Sequence, residues 1–151
     1  MHPRARLYWL DVGTVAMIRT LSITTRTQGL VDITPELANA VRACAMREGL
    51  CTVFIRHTSA SLVIQENADP AVRVDLERWL ARLVPEGDAL YTHVDEGPDD
   101  MPAHIKSMLT ATSLAIPIVD GRLALGQWQA VYVWEHRQRG ARRELVVHIG
   151  A

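Results

Sequence analysis

The stretch Cys51-Thr52-Val53-Phe54-Ile55-Arg56-His57-Thr58-Ser59-Ala60-Ser61-Leu62-Val63-Ile64-Gln65-Glu66-Asn67-Ala68-Asp69-Pro70 decides the fold class. Two short runs rich in β-branched and apolar residues, Cys51 to His57 and Ser61 to Gln65, read as strands. The polar Thr58-Ser59-Ala60 between them fits a tight connection. Asp69-Pro70 then opens a helix, with a capping carboxylate followed by a proline whose missing N–H costs nothing in the first turn. Val72, Leu76, Trp79, Leu80 and Leu83 fall on one helical face, and Pro85 and Gly87 end the helix.

Working outward, Val15 to Arg26 has the β-branched density of a strand, and Thr34-Pro35 repeats the cap-plus-proline signal. That signal opens a helix carrying Leu37, Val41, Cys44 and Ala45, with Gly49 as its stop. Pro102 opens a third helix running through Leu109. Leu114 to Val119, Asp120-Gly121 and Arg122 to Leu125 form a hairpin signal. Trp128 to Glu135 alternates between an aromatic set and a second set, and Glu144 to Ile149 supplies a last strand. Helices and hairpins mix without regular βαβ alternation. The expectation is therefore α+β, with mostly antiparallel sheets in a sandwich-like core and about three helices.

The chain has 151 residues, of which 48% are hydrophobic and 22% charged, enough for one core and thin for two. One domain over 17–151 is expected, preceded by an unpatterned extension over 1–16. No apolar run is long enough to span a bilayer, and no signal peptide is evident, so no membrane partner and a cytoplasmic location are expected. The net charge of −1 argues against a general nucleic-acid binder. Cys44 and Cys51 read as buried free thiols. Lys106 is the only lysine among 16 basic residues.

The chemistry-bearing region runs from Val84 to Ile105. It holds Glu86, Asp88, Asp95, Glu96, Asp99 and Asp100, with no lysine or arginine. One reading is a solvated acidic loop. The other begins from His93 and His104, which flank the carboxylates, and from His57 at a strand end. Imidazoles and carboxylates on rigid supports are what a divalent metal needs. The turn His57-Thr58-Ser59-Ala60-Ser61 offers hydroxyls and amides to phosphate oxygens, or is an ordinary turn. Lys106 would place a compact charge on phosphate. Glu135-His136-Arg137 reads as an anion clamp or a hairpin tip.

Together these stretches resemble the YjbQ family, which is associated with a secondary thiamine-phosphate synthase activity. The resemblance spans about Met17 to Ile149. It rests on His57-Thr58-Ser59-Ala60-Ser61-Leu62, Glu66-Asn67-Ala68-Asp69-Pro70 and His93-Val94-Asp95-Glu96-Gly97. It continues through Asp99-Asp100-Met101-Pro102-Ala103-His104-Ile105-Lys106-Ser107, Gly121 to Gln129 and Glu135-His136-Arg137. Gln127 stands where the family usually has threonine, and Ala130 where glycine is frequent.

The resemblance implies a homotrimer and a polar site that binds a divalent metal, magnesium or zinc, with no organic cofactor. The implied reaction couples hydroxymethylpyrimidine diphosphate to thiazole phosphate, releasing diphosphate. On this reading His57, His93 and His104 hold the metal. Ser59, Ser61, Asn67, Lys106, Gln129 and Arg137 contact the phosphorylated substrate, and Glu66 and Asp100 act in acid/base chemistry or support the ligands from behind. The alternatives are a metal-dependent phosphatase or hydrolase, and a non-catalytic oligomeric binder of a phosphorylated metabolite. In a chain this small the site is expected to be shared between subunits.

Overall fold

The computed structural model describes residues 16–151, so most of the expected extension, including His2, lies outside the described residues. Eight strands and three helices follow in the order β1 (Met17–Thr24), β2 (Gly29–Asp32), α1 (Thr34–Cys44), β3 (Gly49–Ile55), β4 (Ala60–Glu66), α2 (Pro70–Leu83), α3 (Asp100–Leu109), β5 (Ser113–Val119), β6 (Arg122–Leu123), β7 (Gln129–Glu135) and β8 (Arg142–Gly150). The fold is α+β. A five-stranded sheet runs β1-β8-β3-β5-β6 and a three-stranded sheet runs β2-β7-β4, with every named pairing antiparallel.

The main core combines side chains of both sheets with α1. Val53 and Ile55 of β3, Leu62 of β4, Ile116 and Ile118 of β5, Val131 and Val133 of β7, and Leu145, Val147 and Ile149 of β8 meet Leu37 and Val41 of the helix. Each such side chain contributes about 1.5–3 kcal/mol by leaving water. A smaller cluster of Leu80, Val84 and Trp134 forms where α2 and α3 cover the other face of the three-stranded sheet. Cys44 and Cys51 are buried and free.

Several local expectations are corrected. The Thr58-Ser59-Ala60 link carries the chain from the larger sheet to the smaller one, because β3 pairs with β5 and β8 while β4 pairs with β7. Thr34 is the first helical residue of α1 and caps nothing; its Oγ1 instead accepts the Val131 N–H at 2.9 Å. That helix ends at Ala45, which adopts the left-handed conformation, four residues before Gly49. Strand β2 carried no recognisable signal of its own. Residues 130–135 of β7 are all buried, where alternation was expected, because β7 is the middle strand with packing on both faces. Trp79 and Leu83 are 54% and 53% exposed, so only Leu80 of the predicted apolar face of α2 is fully buried.

The Asp69 cap holds as expected, its side chain accepting the Ala71 N–H at 2.8 Å. The β5–β6 turn also holds. Asp120 and Gly121 both have positive φ, 51° and 75°, which suits a two-residue hairpin and favours glycine at the second position.

Candidate metal centre

The link between α2 and α3 brings His93 against the first turn of α3. Asp100 is the first residue of that helix, where the helix dipole favours a carboxylate, and His104 lies one turn later on the same face. His93 Nε2 is 2.8 Å from Asp100 Oδ2, and His104 Nε2 is 3.1 Å from the same oxygen. One ligand atom from each residue can be chosen so that all three lie within 4.8 Å of one another.

His104 Nδ1 is 3.0 Å from the Thr58 carbonyl, which can only accept a hydrogen bond, so Nδ1 carries a proton. In a neutral ring, Nε2 then presents a lone pair to the Asp100 carboxylate. Two acceptors 3.1 Å apart need a cation between them, either a second proton on the ring or a metal. Holding the far nitrogen through a backbone carbonyl is also how metal-binding imidazoles are oriented.

Arg137 supports this arrangement from behind. Its Nε donates to Asp99 Oδ2 at 3.0 Å, its Nη1 to Asp100 Oδ1, and its Nη2 to the Glu96 carbonyl at 2.8 Å. The turn through Gly97, at φ 109°, presents that carbonyl, and a Cβ there would sit 3.2 Å from Asp99. Burial alone would raise the Asp100 carboxyl. The His93 hydrogen bond, the Arg137 charge and the His104 contacts together hold it below the ordinary carboxylate value. The acidic stretch is thus partly neutralised by an arginine from the far side of the fold.

Of the expected three-histidine ligand set, His93 and His104 converge, together with Asp100, while His57 is paired elsewhere. His57 Nδ1 accepts the Ser59 N–H at 3.2 Å and lies 2.9 Å from Arg143 Nη1. Burial and the Arg143 charge both lower its proton affinity. A guanidinium on the ring leaves a poor place for a further cation. Arg143 is itself buried, donating to both oxygens of Glu135, which also accepts from Thr25. Sequence reading missed Arg143, although it lies in phase with Leu145, Val147 and Ile149 on the buried face of β8.

The expected phosphate contacts are dispersed. The Ser59 hydroxyl faces His57 Nδ1 at 3.2 Å, and the Ser61 hydroxyl pairs with His136 Nε2 at 2.8 Å. Arg137 is committed to carboxylates, and Lys106 is buried. Glu66 pairs with Gln129 at the other end of β4, five residues from Ser61 and thus roughly 17 Å away. There Glu66 accepts from the Ala68 and Asp69 N–H groups, Gln129 accepts from Gly126, and Asn67 donates its N–H to the Trp128 carbonyl. Within one chain these three residues do not join the cluster. Gln127 lies beside them, its carbonyl 3.5 Å from the Asn67 amide, whereas Ala130 is buried in β7.

Beside the Thr58–His104 contact an open groove of about 440 Å³ is lined by Phe54, Ile55, Arg56, His57, Thr58 and Thr112. A larger groove, about 560 Å³, lies between α1 and the β5–β6 turn. It contains no histidine, and its single carboxylate, Asp120, pairs with Arg47. Size favours the larger groove and chemistry the smaller one; the chemistry decides.

Residues 19–151 match the family described as UPF0047 protein YjbQ-like. A relative from Synechocystis, UPF0047 protein sll1880, is 55% identical, with 85% of this chain and 88% of the relative aligned. UPF0047 protein YjbQ of Salmonella typhimurium is 42% identical over 85% of this chain and 93% of its own. Among solved structures, a YjbQ/UPF0047-family protein of Clostridium acetobutylicum superposes with a TM-score of 0.78 at 35% identity, covering 87% of this chain and 98% of that one.

Proposed function

The chain belongs to the UPF0047 YjbQ-like family, and from that premise we propose that it is a metal-dependent enzyme acting on a phosphorylated small molecule. The reaction we assign is alkyl transfer of the thiamine-phosphate synthase kind. The bond from the pyrimidine methylene to diphosphate breaks, the thiazole nitrogen bonds to that carbon, and diphosphate leaves with the electron pair. The observation that supports this reading is the convergence of His93 Nε2 and His104 Nε2 on one oxygen of Asp100, at 2.8 and 3.1 Å, where a divalent ion would find three ligand atoms.

His93, Asp100 and His104 would hold the ion, and two imidazoles with one carboxylate suit zinc better than magnesium. A bound divalent ion supplies Lewis-acid neutralisation of the leaving diphosphate. Arg137 and the Thr58 carbonyl orient two of the ligands. Arg56, His57 and Thr58 line the adjoining groove and would hold the remaining phosphate charge. No protein nucleophile is needed, since the thiazole nitrogen attacks.

The homotrimer expected for this family forms, in our reading, through the outer face of the five-stranded sheet. Ile18, Leu50, Phe54 and Val119 are 70%, 40%, 45% and 47% exposed there, beside Ala115, Pro117 and Val146. None of the three helices belongs to this face; α1 packs into the main core, and α2 and α3 cover the smaller sheet. An apolar patch that no described helix covers suits contact with another copy of the chain. Arg56 and His57 follow β3 directly, so such an interface would border the groove and could bring Glu66, Asn67 and Gln129 of a neighbouring copy into it.

The test is turnover. The protein is incubated with both substrates, with and without chelator, and thiamine phosphate is measured. Metal-dependent product that Asp100→Asn abolishes supports the assignment. Phosphate release from simple esters without acceptor would replace it with a hydrolase. Ligand-induced thermal stabilisation without turnover would replace it with a binding protein.

A further inference from the structure

A second, smaller polar cavity lies between α2, α3 and the end of β7, lined among others by Gln28, Glu77, Lys106, Trp134, Glu135 and His136. Lys106 lies two residues beyond His104 on α3, about 200° around the helix, and so faces away from the metal cluster. Its side chain is buried, with 5% exposure for the residue. Among the described residues no protein atom accepts a hydrogen bond from its Nζ and no carboxylate lies within ion-pair distance. Burial lowers its proton affinity; the charges of Glu86 and Asp99 oppose that from a distance, while bonding to Gln138 and Arg137. Glu135 is occupied by Arg143 and Thr25.

An ammonium on a side chain this buried, with no protein partner among the described residues, takes its acceptors from the cavity, as water or a bound anion. His136 supplies a second donor. Burial pushes its pKa down to about 3, so the ring is neutral, and the tautomer whose Nε2 accepts the Ser61 hydroxyl, 2.8 Å away, carries its proton on Nδ1. That Nδ1 also has no protein partner among the described residues. The cavity holds about 40 Å³ of space for the centres of water-sized atoms. One water needs roughly 10–15 Å³ on this measure, so about three oxygens fit. The acidic wall is Glu77 and Glu135: burial pushes the Glu77 carboxyl up, and the Glu135 charge is held by Arg143 and Thr25.

We propose that this cavity is a site for one compact oxyanion, either inorganic phosphate or the phosphoryl end of a phosphate ester, with Lys106 as its cationic anchor and His136 as a second donor. Three oxygens lie inside, and the fourth oxygen or the ester link lies at the mouth. The site is distinct from the metal cluster and does not depend on it.

Because Lys106 is the only lysine of the chain, lysine labelled at Cε reports on this site through a single side-chain resonance. The labelled full-length protein, kept free of metal by chelator, is titrated with inorganic phosphate, with phenyl phosphate, and with chloride at matched ionic strength. The expected result is a saturable shift with phosphate and none with chloride. An equal shift with phenyl phosphate assigns the site to phosphoryl ends, and a shift with phosphate alone assigns it to the free ion. No shift at roughly 10 mM phosphate, or the same shift with chloride, overturns the proposal. Phosphate affinity followed by phosphorus resonance should also fall at least about tenfold in Lys106→Gln, the loss of one charged hydrogen bond. The wild-type titration stands whether or not that variant folds.

Discussion

His104 Nε2 and Asp100 Oδ2 face each other across 3.1 Å, while the other nitrogen of the same ring is fixed on the Thr58 carbonyl at 3.0 Å. The backbone has therefore chosen the tautomer, and the exposed lone pair and the carboxylate share a need for positive charge. Arg137 satisfies the far oxygen of Asp100 and leaves the near one for that charge.

Zinc affinity should separate Asp100 from His57. Asp100→Asn removes a ligand charge and should weaken binding by at least about 100-fold in a chelator competition, beyond the 10–100-fold typical of supporting residues. His57→Ala should stay within about threefold of wild type, because His57 stands on Arg143 outside the cluster. Equal losses in both variants would restore the three-histidine set.

Stability of the metal-free protein should fall as pH drops below 6.5. His136 titrates near 6.5 when unfolded and at about 3 when folded, so between those values the unfolded chain binds the extra proton. Stability from this group is complete above 6.5 and declines by up to about 1.4 kcal/mol per pH unit below it. Asp100, depressed in the folded state, adds a further loss only below its ordinary carboxylate range. Urea unfolding at pH 7, 6 and 5 reads this directly. In His136→Gln the slope across that window should flatten; an unchanged slope would assign it to other groups.

Asp69 and Thr34 precede prolines in the same way but have different tasks. Asp69→Ala removes a true cap and should cost about 0.5–2 kcal/mol. Thr34→Ala instead strands the Val131 N–H, at about 1–3 kcal/mol. Hydrogen exchange distinguishes them: the first variant should loosen the amides of the first turn of α2, and the second the Val131 amide in β7.

Phe54→Glu places a charge on the face of the larger sheet that no described helix covers. Sedimentation should show the wild type as a trimer and this variant as a monomer with unchanged circular dichroism. A wild-type monomer, or a variant that stays trimeric, contradicts the assignment of that face.

Much of the fold was legible because it rests on local signals: the Asp69-Pro70 cap, the Asp120-Gly121 turn, and the buried free thiols. The partition of β3 and β4 between two sheets was not, because Thr58-Ser59-Ala60 has the same chemistry whether a chain folds back or crosses over. Thr34 misled for a related reason, since its hydroxyl is claimed by a strand 97 residues away. At the site, the nearness of His93 and His104 to the carboxylates was readable, whereas Asp100 was expected in acid/base chemistry and not as the oxygen both rings approach. The pairing of His57 with Arg143 was not readable, because it depends on a residue 86 positions later reaching across the sheet. Arg137 looked like a phosphate clamp because its carboxylate partners lie 37 and 38 residues before it.

The most direct measurement is anomalous diffraction at the zinc edge from crystals grown with zinc. The account predicts one strong peak at roughly 2.0–2.2 Å from His93 Nε2, Asp100 Oδ2 and His104 Nε2. A zinc peak bonded to His57, or none at the His93–Asp100–His104 cluster, would contradict it.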